Sequence, residues 1–398
     1  MGGGVHPSML PEQTIMNSLI DIVVRGEGEE SFLKIVTALK CGNSLNDIPN
    51  IWWKDNDKVY STPTDGLINL DNLPPLPHQL LDFEKYIEIP QTNLPNCKRI
   101  IEVYTERGCC HRCGFCYNIN MHQCKWRALA ASKVVEQIEC LVKNFVLDGI
   151  NFNADNFFVD KKRVADICAG IIKRKIKISW QAGCRIDYFA RYDNSFIDLL
   201  IKSGCRKLNF GLESGSQRIL NLMQKDMNLD DVFKVNAKLK KWQIRVDYDI
   251  MAGFPEETKE EVLQTYKIMF RLHHEYPKAT FFGPYIYTPY PGTPLYDKCL
   301  EMGFNPPERL EDWVNFEWCG KTYLSFINPS YSKWLKKSAS ILRLSFIHVK
   351  GLQWMGWWFK VRAKIIIKFN IIGPIPEEKV IHFAKIIIAF VKKLLRVK

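Results

Sequence analysis

The sequence predicts an α/β protein built around a partial (β/α)6 barrel, with an incomplete α/β segment before it and a basic helical extension after it. Three observations carry this reading. Between Lys98 and about residue 298, short apolar runs alternate with helix-length amphipathic segments, a pattern that gives parallel strands joined by crossover helices. Hydrophobic residues make up 46% and charged residues 25% of the 398 residues, proportions of a packed globular chain that exclude disorder, collagen and low-complexity readings. The positive charge is also localised. From Tyr331 onward fifteen Lys or Arg face only Glu377 and Glu378, so the body before Tyr331 carries almost none of the net +12. The body therefore gives no global nucleic-acid signal.

Taken in order, LIDIVVRGEGEE predicts a strand from Leu19 to Val24, a glycine turn and a helix from about Glu29 to Leu39. IWWKDNDKVYST predicts a hairpin around Asp55 and Asn56. Residues 1–70 hold too few elements to cover both faces of a doubly wound sheet, so they either pack on the next domain or belong to a domain whose first half is missing. Residues 71–97 are rich in Pro and Asn and read as a linker wrapping a neighbour. Residues 98–298 form the barrel. Its strands lie in RIIEVYTE, GINFNA, ISWQAG, KLNFGLE, IRVDYDIMAG and TFFGPYIYTPY, and the loops at their carboxyl ends are where such barrels place their chemistry.

Residues 299–398 form a mostly helical basic extension. There Trp334, Trp354, Trp357 and Trp358 interleave with Lys and Arg, and KVIHFAKIIIAFVKKLLRVK places Glu378, His382, Lys385, Lys392 and Arg396 largely along one helical stripe. This suits peripheral contact with an anionic membrane surface, or a helical lid or subunit contact, with nucleic acid, on whose bases Trp and Arg can stack, as the last-ranked option. No apolar run reaches the roughly 18 residues of a membrane span. The opening MGGGVHPSMLPEQTIM has no signal-peptide pattern, so the chain reads as cytoplasmic, with a candidate site of attachment at the inner membrane face. Its thirteen cysteines then read as reduced thiols and metal ligands rather than disulfides.

Directly after the first barrel strand comes TERGCCHRCGFCYN, in which Cys109, Cys113 and Cys116 have the spacing C-x3-C-x2-C. Three thiolates so spaced in one loop suit three irons of a four-iron four-sulfur ([4Fe-4S]) cluster and leave the fourth iron open. An open iron can chelate the amino and carboxylate groups of S-adenosyl-L-methionine. Zinc, completed by Cys110, His111, His122 or Cys124, is the competing reading, although the loop lacks a second matching hook.

With RGEGEE, DIPNIWWKDNDKVYSTP, the RGC and CGFCY pieces, ADNFFVD, FGLESGSQRIL, MAGFPEET and TPYPGTPLYD in this order, the chain from Gly2 to about Trp313 resembles the radical S-adenosylmethionine (radical SAM) enzymes. The resemblance is to their cobalamin-associated branch, which includes the magnesium-protoporphyrin monomethyl ester cyclase and the hopanoid and phosphonate methylases. It implies a radical SAM barrel with Cys109, Cys113 and Cys116 as cluster ligands, Phe115 against the adenine and the backbone at Tyr117 on its edge. It further implies that Asp155 and Asn156 approach the methionine amino group, that Arg185 reaches the carboxylate or the substrate, that Glu213 and Ser214 approach the ribose or methionine, and that Gly253 and Pro255 shape the backbone after the fifth strand. Read as structure alone, Asp155 and Asn156 could cap a helix, Glu213 could sit as a helix-start charge, and Arg185 could pair with Asp187. Cys110 replaces the proline usual after the first ligand, which bears on loop stiffness and not on ligation.

The resemblance also makes residues 1–70 the remnant of a Rossmann-like cobalamin domain, with Gly3 and Gly4 near the nucleotide tail. The cobalt-ligating D-x-H-x-x-G motif does not occur in these residues, so cobalamin is expected only with an upstream segment. The implied activity is reductive cleavage of S-adenosylmethionine and hydrogen abstraction from a small-molecule or lipid substrate. Its outcome would be C-methylation, cyclisation or rearrangement in lipid, tetrapyrrole or natural-product biosynthesis, with a reducing donor such as flavodoxin or ferredoxin. An iron-sulfur or zinc protein without turnover is the alternative. Tyr287, Tyr290, Cys184 and Cys205 qualify as radical relays by chemistry alone and otherwise as packing.

Overall fold

The computed structural model of the chain describes residues 1–56, 58–87, 94–316, 325–346 and 353–369. It opens with two short helices, α1 (Val5–Met9) and α2 (Pro11–Met16), then β1 (Ile22–Val24), α3 (Glu29–Cys41) and the hairpin of β2 (Ile51–Asp55) and β3 (Lys58–Ser61). β1 begins three residues later than the apolar run suggests. Asn17 folds the chain into a turn by accepting the Leu19 N–H on its side chain, and Leu19 is left 86% exposed. α3 ends at Gly42, whose φ of 69° takes the left-handed C-cap conformation. Asn56 turns the hairpin with φ 47°. The three strands pair antiparallel in the order β1-β2-β3, and Gly2 lies parallel beside Val23.

After α4 (Phe83–Ile87), whose Phe83 packs on Phe145 at 4.2 Å between ring centroids, the barrel begins. β4 (Ile100–Val103) leads into the two-residue β5 (Glu106–Arg107); α5 (Asn118–Met121) and β6 (Arg127–Ala128) follow, and β5 and β6 pair antiparallel. The alternation continues with α6 (Ala131–Phe145), β7 (Gly149–Phe152), α7 (Lys161–Lys173), β8 (Ser179–Gly183), α8 (Ile186–Arg191), α9 (Asn194–Lys202), β9 (Cys205–Glu213), α10 (Gln217–Leu222), α11 (Asp230–Trp242), β10 (Arg245–Ala252), α12 (Lys259–Glu275), β11 (Ala279–Ile286) and α13 (Pro294–Glu301). The six long strands form one parallel sheet in the order β11-β10-β9-β8-β7-β4. β4 and β11 remain edges, so the sheet is a partial barrel.

Helix starts follow their caps. Asp160, Asp193 and Ser216 accept from the backbone three residues on, and Thr258 forms a capping box with Glu261. The face of the sheet beneath the helices is apolar: Ile150, Phe152, Trp180, Leu208, Phe210, Val246, Tyr248 and Ile250 are all fully buried. Each such side chain contributes about 1.5–3 kcal/mol.

α14 (Pro329–Ser345) and α15 (Gln353–Phe369) close the described chain. α14 belongs to the core: Leu335, Ala339, Ile341 and Leu342 are buried, and the Tyr266 hydroxyl meets Ser338 at 3.0 Å. Trp334 is therefore packed, with the Lys259 ammonium over its ring at 5.6 Å, whereas Trp357 is 66% exposed. Among the described residues no helix is long and apolar enough to cross a membrane. The stripe from Glu378 to Arg396 lies outside the described residues.

Where α14 crosses the end of β10, Gly253 has φ 86°, and a Cβ there would lie 2.7 Å from Leu335 Cδ2. Its N–H donates to Glu257 Oε2 at 2.5 Å, the Phe254 N–H to the same oxygen at 3.3 Å, and Glu257 Oε1 is buried with no partner among the described residues. Burial pushes the Glu257 carboxyl up to about 8, against the pull of those two N–H groups. Because the folded pKa lies above that of the unfolded chain, the folded state keeps a proton that the unfolded state loses as pH climbs from about 4.5 to 8, and stability falls over that window. We expect the slope from this group to approach 1.4 kcal/mol per pH unit. In urea melts from pH 4.5 to 9, Glu257→Gln should flatten the decline and raise the alkaline midpoint.

Candidate active site

The cysteine loop leaves the carboxyl end of β4 through β5. Gly108 makes the turn with φ 82°, where a Cβ would lie 2.1 Å from the Lys125 carbonyl oxygen, so only glycine lets the two segments close on each other. The loop is pinned at its middle: the Gly114 N–H donates to Met223 O at 2.8 Å, and Gly114 O accepts from Leu295 N at 2.9 Å. Cys113 is buried, and Cys109 and Cys116 are half-buried. Burial, then the neighbouring Cys113 and Cys109 charges, push the Cys116 thiol up to about 11, and burial likewise raises Cys109. The three thiols thus share one electrostatic neighbourhood.

Donors and cations surround them. Asn156 Nδ2 donates to Cys109 Sγ at 3.5 Å, and Arg185 Nη1 lies 3.9 Å from Cys113 Sγ. The Lys225 ammonium is buried beside them, ion-paired to Glu213 at 2.9 Å. Burial pulls its pKa down, but the Glu213 and Cys113 charges outweigh it and hold it above the ordinary value. Three neighbouring thiols beside two cations suit a thiolate-ligated iron-sulfur cluster, whose negative charge such cations offset. The two histidines considered from sequence as extra zinc ligands have other partners. His111 Nε2 meets the Tyr188 hydroxyl at 2.7 Å, and His122 lies beside Glu27, Asp155 and Arg127. Among the described residues no three His, Cys, Asp or Glu side chains converge on a single-ion site.

The other expected site residues gather around this loop in different ways. Phe115 is half-buried, 6.2 Å from the Phe254 ring and under the Lys225 ammonium at 5.7 Å. Asp155 caps no helix; Asp160 starts α7 instead. Asp155 accepts from the Gly108 N–H at 2.7 Å, Asn118 Nδ2 at 3.0 Å and the Tyr117 hydroxyl at 3.2 Å, so it ties down both ends of the cysteine loop. Arg185 pairs with Asp187 at 2.8 Å, yet also reaches the Lys225 carbonyl and Cys113. Glu213, at φ 62°, faces Lys225, while Ser216 caps α10. Ser214 is buried, with its hydroxyl at 3.4 Å from Thr265 and accepting from the Ser216 N–H. Tyr287 stacks on Phe254, and Cys184 and Cys205 are buried.

Residues 103–269 match the Radical SAM superfamily. The chain carries a radical SAM domain. Similar proteins include an uncharacterised methyltransferase of Pyrococcus horikoshii, 34% identical over 300 residues that cover 75% of this chain and 62% of that protein. The anaerobic magnesium-protoporphyrin IX monomethyl ester cyclase of Rubrivivax gelatinosus is 29% identical, covering 67% of this chain and 48% of its own length. The chain therefore spans about half to three-fifths of these relatives. Two solved structures share the fold. The radical S-adenosylmethionine methyltransferase TsrM from Kitasatospora setae has a TM-score of 0.58 at 17% identity, over 77% of this chain and 59% of that one. The cobalamin-dependent S-adenosylmethionine radical enzyme OxsB has a TM-score of 0.62 at 16% identity, over 92% and 58%.

The radical SAM domain is gripped by a group that sequence reasoning did not assign. The RGEGEE segment sends Glu27 into the base of the cysteine loop, where both carboxylate oxygens meet Arg127, at 2.7 and 2.8 Å, and Glu29 reaches Arg107 at 2.5 Å. Burial alone would raise the Glu27 carboxyl; Arg127 and Arg107 outweigh it and hold it below the ordinary value. Arg107 and Arg127 are paired residues of β5 and β6, so the clamp closes the two-stranded strap from which the thiols project. The signal was two acidic residues in a motif and two arginines twenty apart, which only the fold joins. Glu27→Ala should cost about 3 kcal/mol in denaturant unfolding, because it strands a half-buried guanidinium, and should speed iron loss from the reconstituted protein. Lys143→Ala, which breaks an exposed helical pair with Glu139, should change stability by less than about 0.5 kcal/mol.

Proposed function

We propose that this chain reductively cleaves S-adenosylmethionine at the Cys109, Cys113 and Cys116 loop and directs hydrogen abstraction at a carbon substrate held inside the barrel. The observation that carries the reading is one loop at the carboxyl ends of the strands that sets Cys109, Cys113 and Cys116 within each other's charge field, with Arg185 3.9 Å from Cys113 and Lys225 beside it. A reduced [4Fe-4S] cluster on these thiolates would supply the electron that splits the sulfonium into methionine and a 5′-deoxyadenosyl radical, the hard chemistry that belongs to the cofactor.

The chain's own residues position and shield. Asp155 holds the loop closed through the Gly108 N–H and Asn118, and Asn156 donates to the Cys109 sulfur. Phe115, with Phe254 beside it, offers an aromatic surface for the adenine. Arg185 and Lys225 provide positive charge for the methionine carboxylate, and Glu213 fixes Lys225 in place. Gly253 lets Leu335 of α14 approach the backbone after β10 closely. Ser214, linked to Thr265 and to the Ser216 N–H, fixes the backbone beside Glu213 on the side expected to meet the ribose or methionine. In this reading a small-molecule substrate is methylated, cyclised or rearranged, with a flavodoxin- or ferredoxin-type donor. Cobalamin would enter only with a cobalt-ligating segment that these 398 residues do not contain.

Anaerobically reconstituted protein given dithionite and S-adenosylmethionine should release 5′-deoxyadenosine and methionine in equal amounts, read by chromatography. Cys113→Ala should lose both the iron absorbance and the product. Lys225→Met should keep the iron but slow cleavage about ten- to a hundredfold. Cluster absorbance without 5′-deoxyadenosine in the unmodified protein would turn the reading to an iron-sulfur protein without turnover.

A further inference from the structure

Parallel sheets with both faces covered are aliphatic on both. Here the residues that alternate with the buried apolar row carry Glu102, Asn151, Gln181, Lys207, Asp247 and Asp249 across five adjacent strands. They share the face away from the helices, which is the inner face of the partial barrel, below the cysteine loop.

The direction of the amide hydrogen bonds on that face follows from Glu102, whose carboxylate accepts. Glu102 takes Asn151 Nδ2 at 3.3 Å, so Asn151 turns its oxygen to Gln181 Nε2 at 3.0 Å. Gln181 is then left with Oε1, an acceptor, in a side chain only 1% exposed and with no partner among the described residues. On the next strand Asn209 Oδ1 is buried in the same condition. Both lysines nearby are taken: Lys207 pairs with Asp247, which also accepts from Thr280, and Lys225 pairs with Glu213.

Asp249 lies between these two ion pairs and has no hydrogen-bond or ion-pair partner among the described residues. Burial, then the Glu213 and Asp247 charges, push its carboxyl up to about 7, against Lys225 and Lys207. The register slips on both sides of it, between Asp249 and Ile250 against β9 and between Asp249 and Met251 against β11. Such irregularities re-aim side chains next to binding sites. Its partner across β9 is Gly211, where a Cβ would lie 2.7 Å from Lys225 Nζ, so the missing side chain makes room for the Glu213 and Lys225 pair beside Asp249. The inner face thus offers unsatisfied acceptors and an unpaired carboxyl, and its two cations are already neutralised.

We propose that the barrel interior binds its small-molecule substrate through a protonated amine anchored on Asp249, with Gln181 and Asn209 accepting further N–H or O–H groups. That this ligand is the substrate rests on the function proposed above; the binding chemistry does not. Benzylamine, benzyl alcohol and benzoate are matched probes carrying a cation, a neutral donor and an anion. In calorimetry on the reconstituted full chain at pH 8, benzylamine should bind about tenfold or more tightly than benzyl alcohol, and benzoate should show no heat. Asp249→Asn should erase the amine's advantage, and Asp249→Glu should keep it. Asp249→Asn removes a like-charge penalty, so it should melt no lower than the unmodified chain. Equal or better binding of the alcohol or the acid, no binding of the amine, or an amine preference that survives in Asp249→Asn overturns the proposal. Release of 5′-deoxyadenosine is measured separately: its absence with an intact amine preference sinks the function and leaves this site standing, and the reverse sinks only the site.

Discussion

In the proposed reading, the thiols of Cys109, Cys113 and Cys116 become negative together inside a half-buried loop, and that requirement sets the terms for everything around them. Each ionised sulfur makes the next harder to ionise, and burial adds to the cost. The fold answers with cations that cannot drift. Arg185 is held by Asp187 and by the Lys225 carbonyl, and Lys225 is held by Glu213. It answers again with geometry: Gly108, Asp155, the contacts at Gly114 and the Glu27 clamp on β5 and β6 fix the backbone from which the sulfurs project. Removing Lys225 would leave the Glu213 carboxylate buried without its cation, so the counter-charges near the loop are themselves held in pairs.

The same sheet serves two solvents. Its outer face packs Ile150, Trp180, Phe210 and Tyr248 under helices, and its inner face carries amides and carboxylates. Because strand side chains alternate, six strands are enough to build both an apolar core and a polar inner face. α14 then packs across the end of β10, covering Gly253 and Glu257. The basic extension thereby contributes core as well as charge.

Much of this was legible in sequence. The alternation of apolar runs and amphipathic helices is a local, periodic signal, and all six strands and their helices lie where it places them. The cysteine spacing is equally local, so the loop could be read from TERGCCHRCGFCYN alone. Boundaries shifted where local turns intervened, as at Leu19, where Asn17 bends the chain before the strand begins. The period-two polarity of INFN, SWQ, KLN and VDYD was also present in the sequence; read as a mark of a polar interior, it would have pointed to Gln181 and Asp249.

Sequence by itself determined which elements form and where the sulfurs sit along the chain, because helix and strand periods and ligand spacing act over a few residues. Tertiary structure alone decided what each charge does. Asp155 as a loop tie and not a cap, Lys225 as the partner of Glu213, Glu27 as a clamp on Arg127 a hundred positions away and Asp249 left between two satisfied pairs all depend on strand order and register. Electrostatic energies are set by distance and burial in space, and separation along the chain fixes neither.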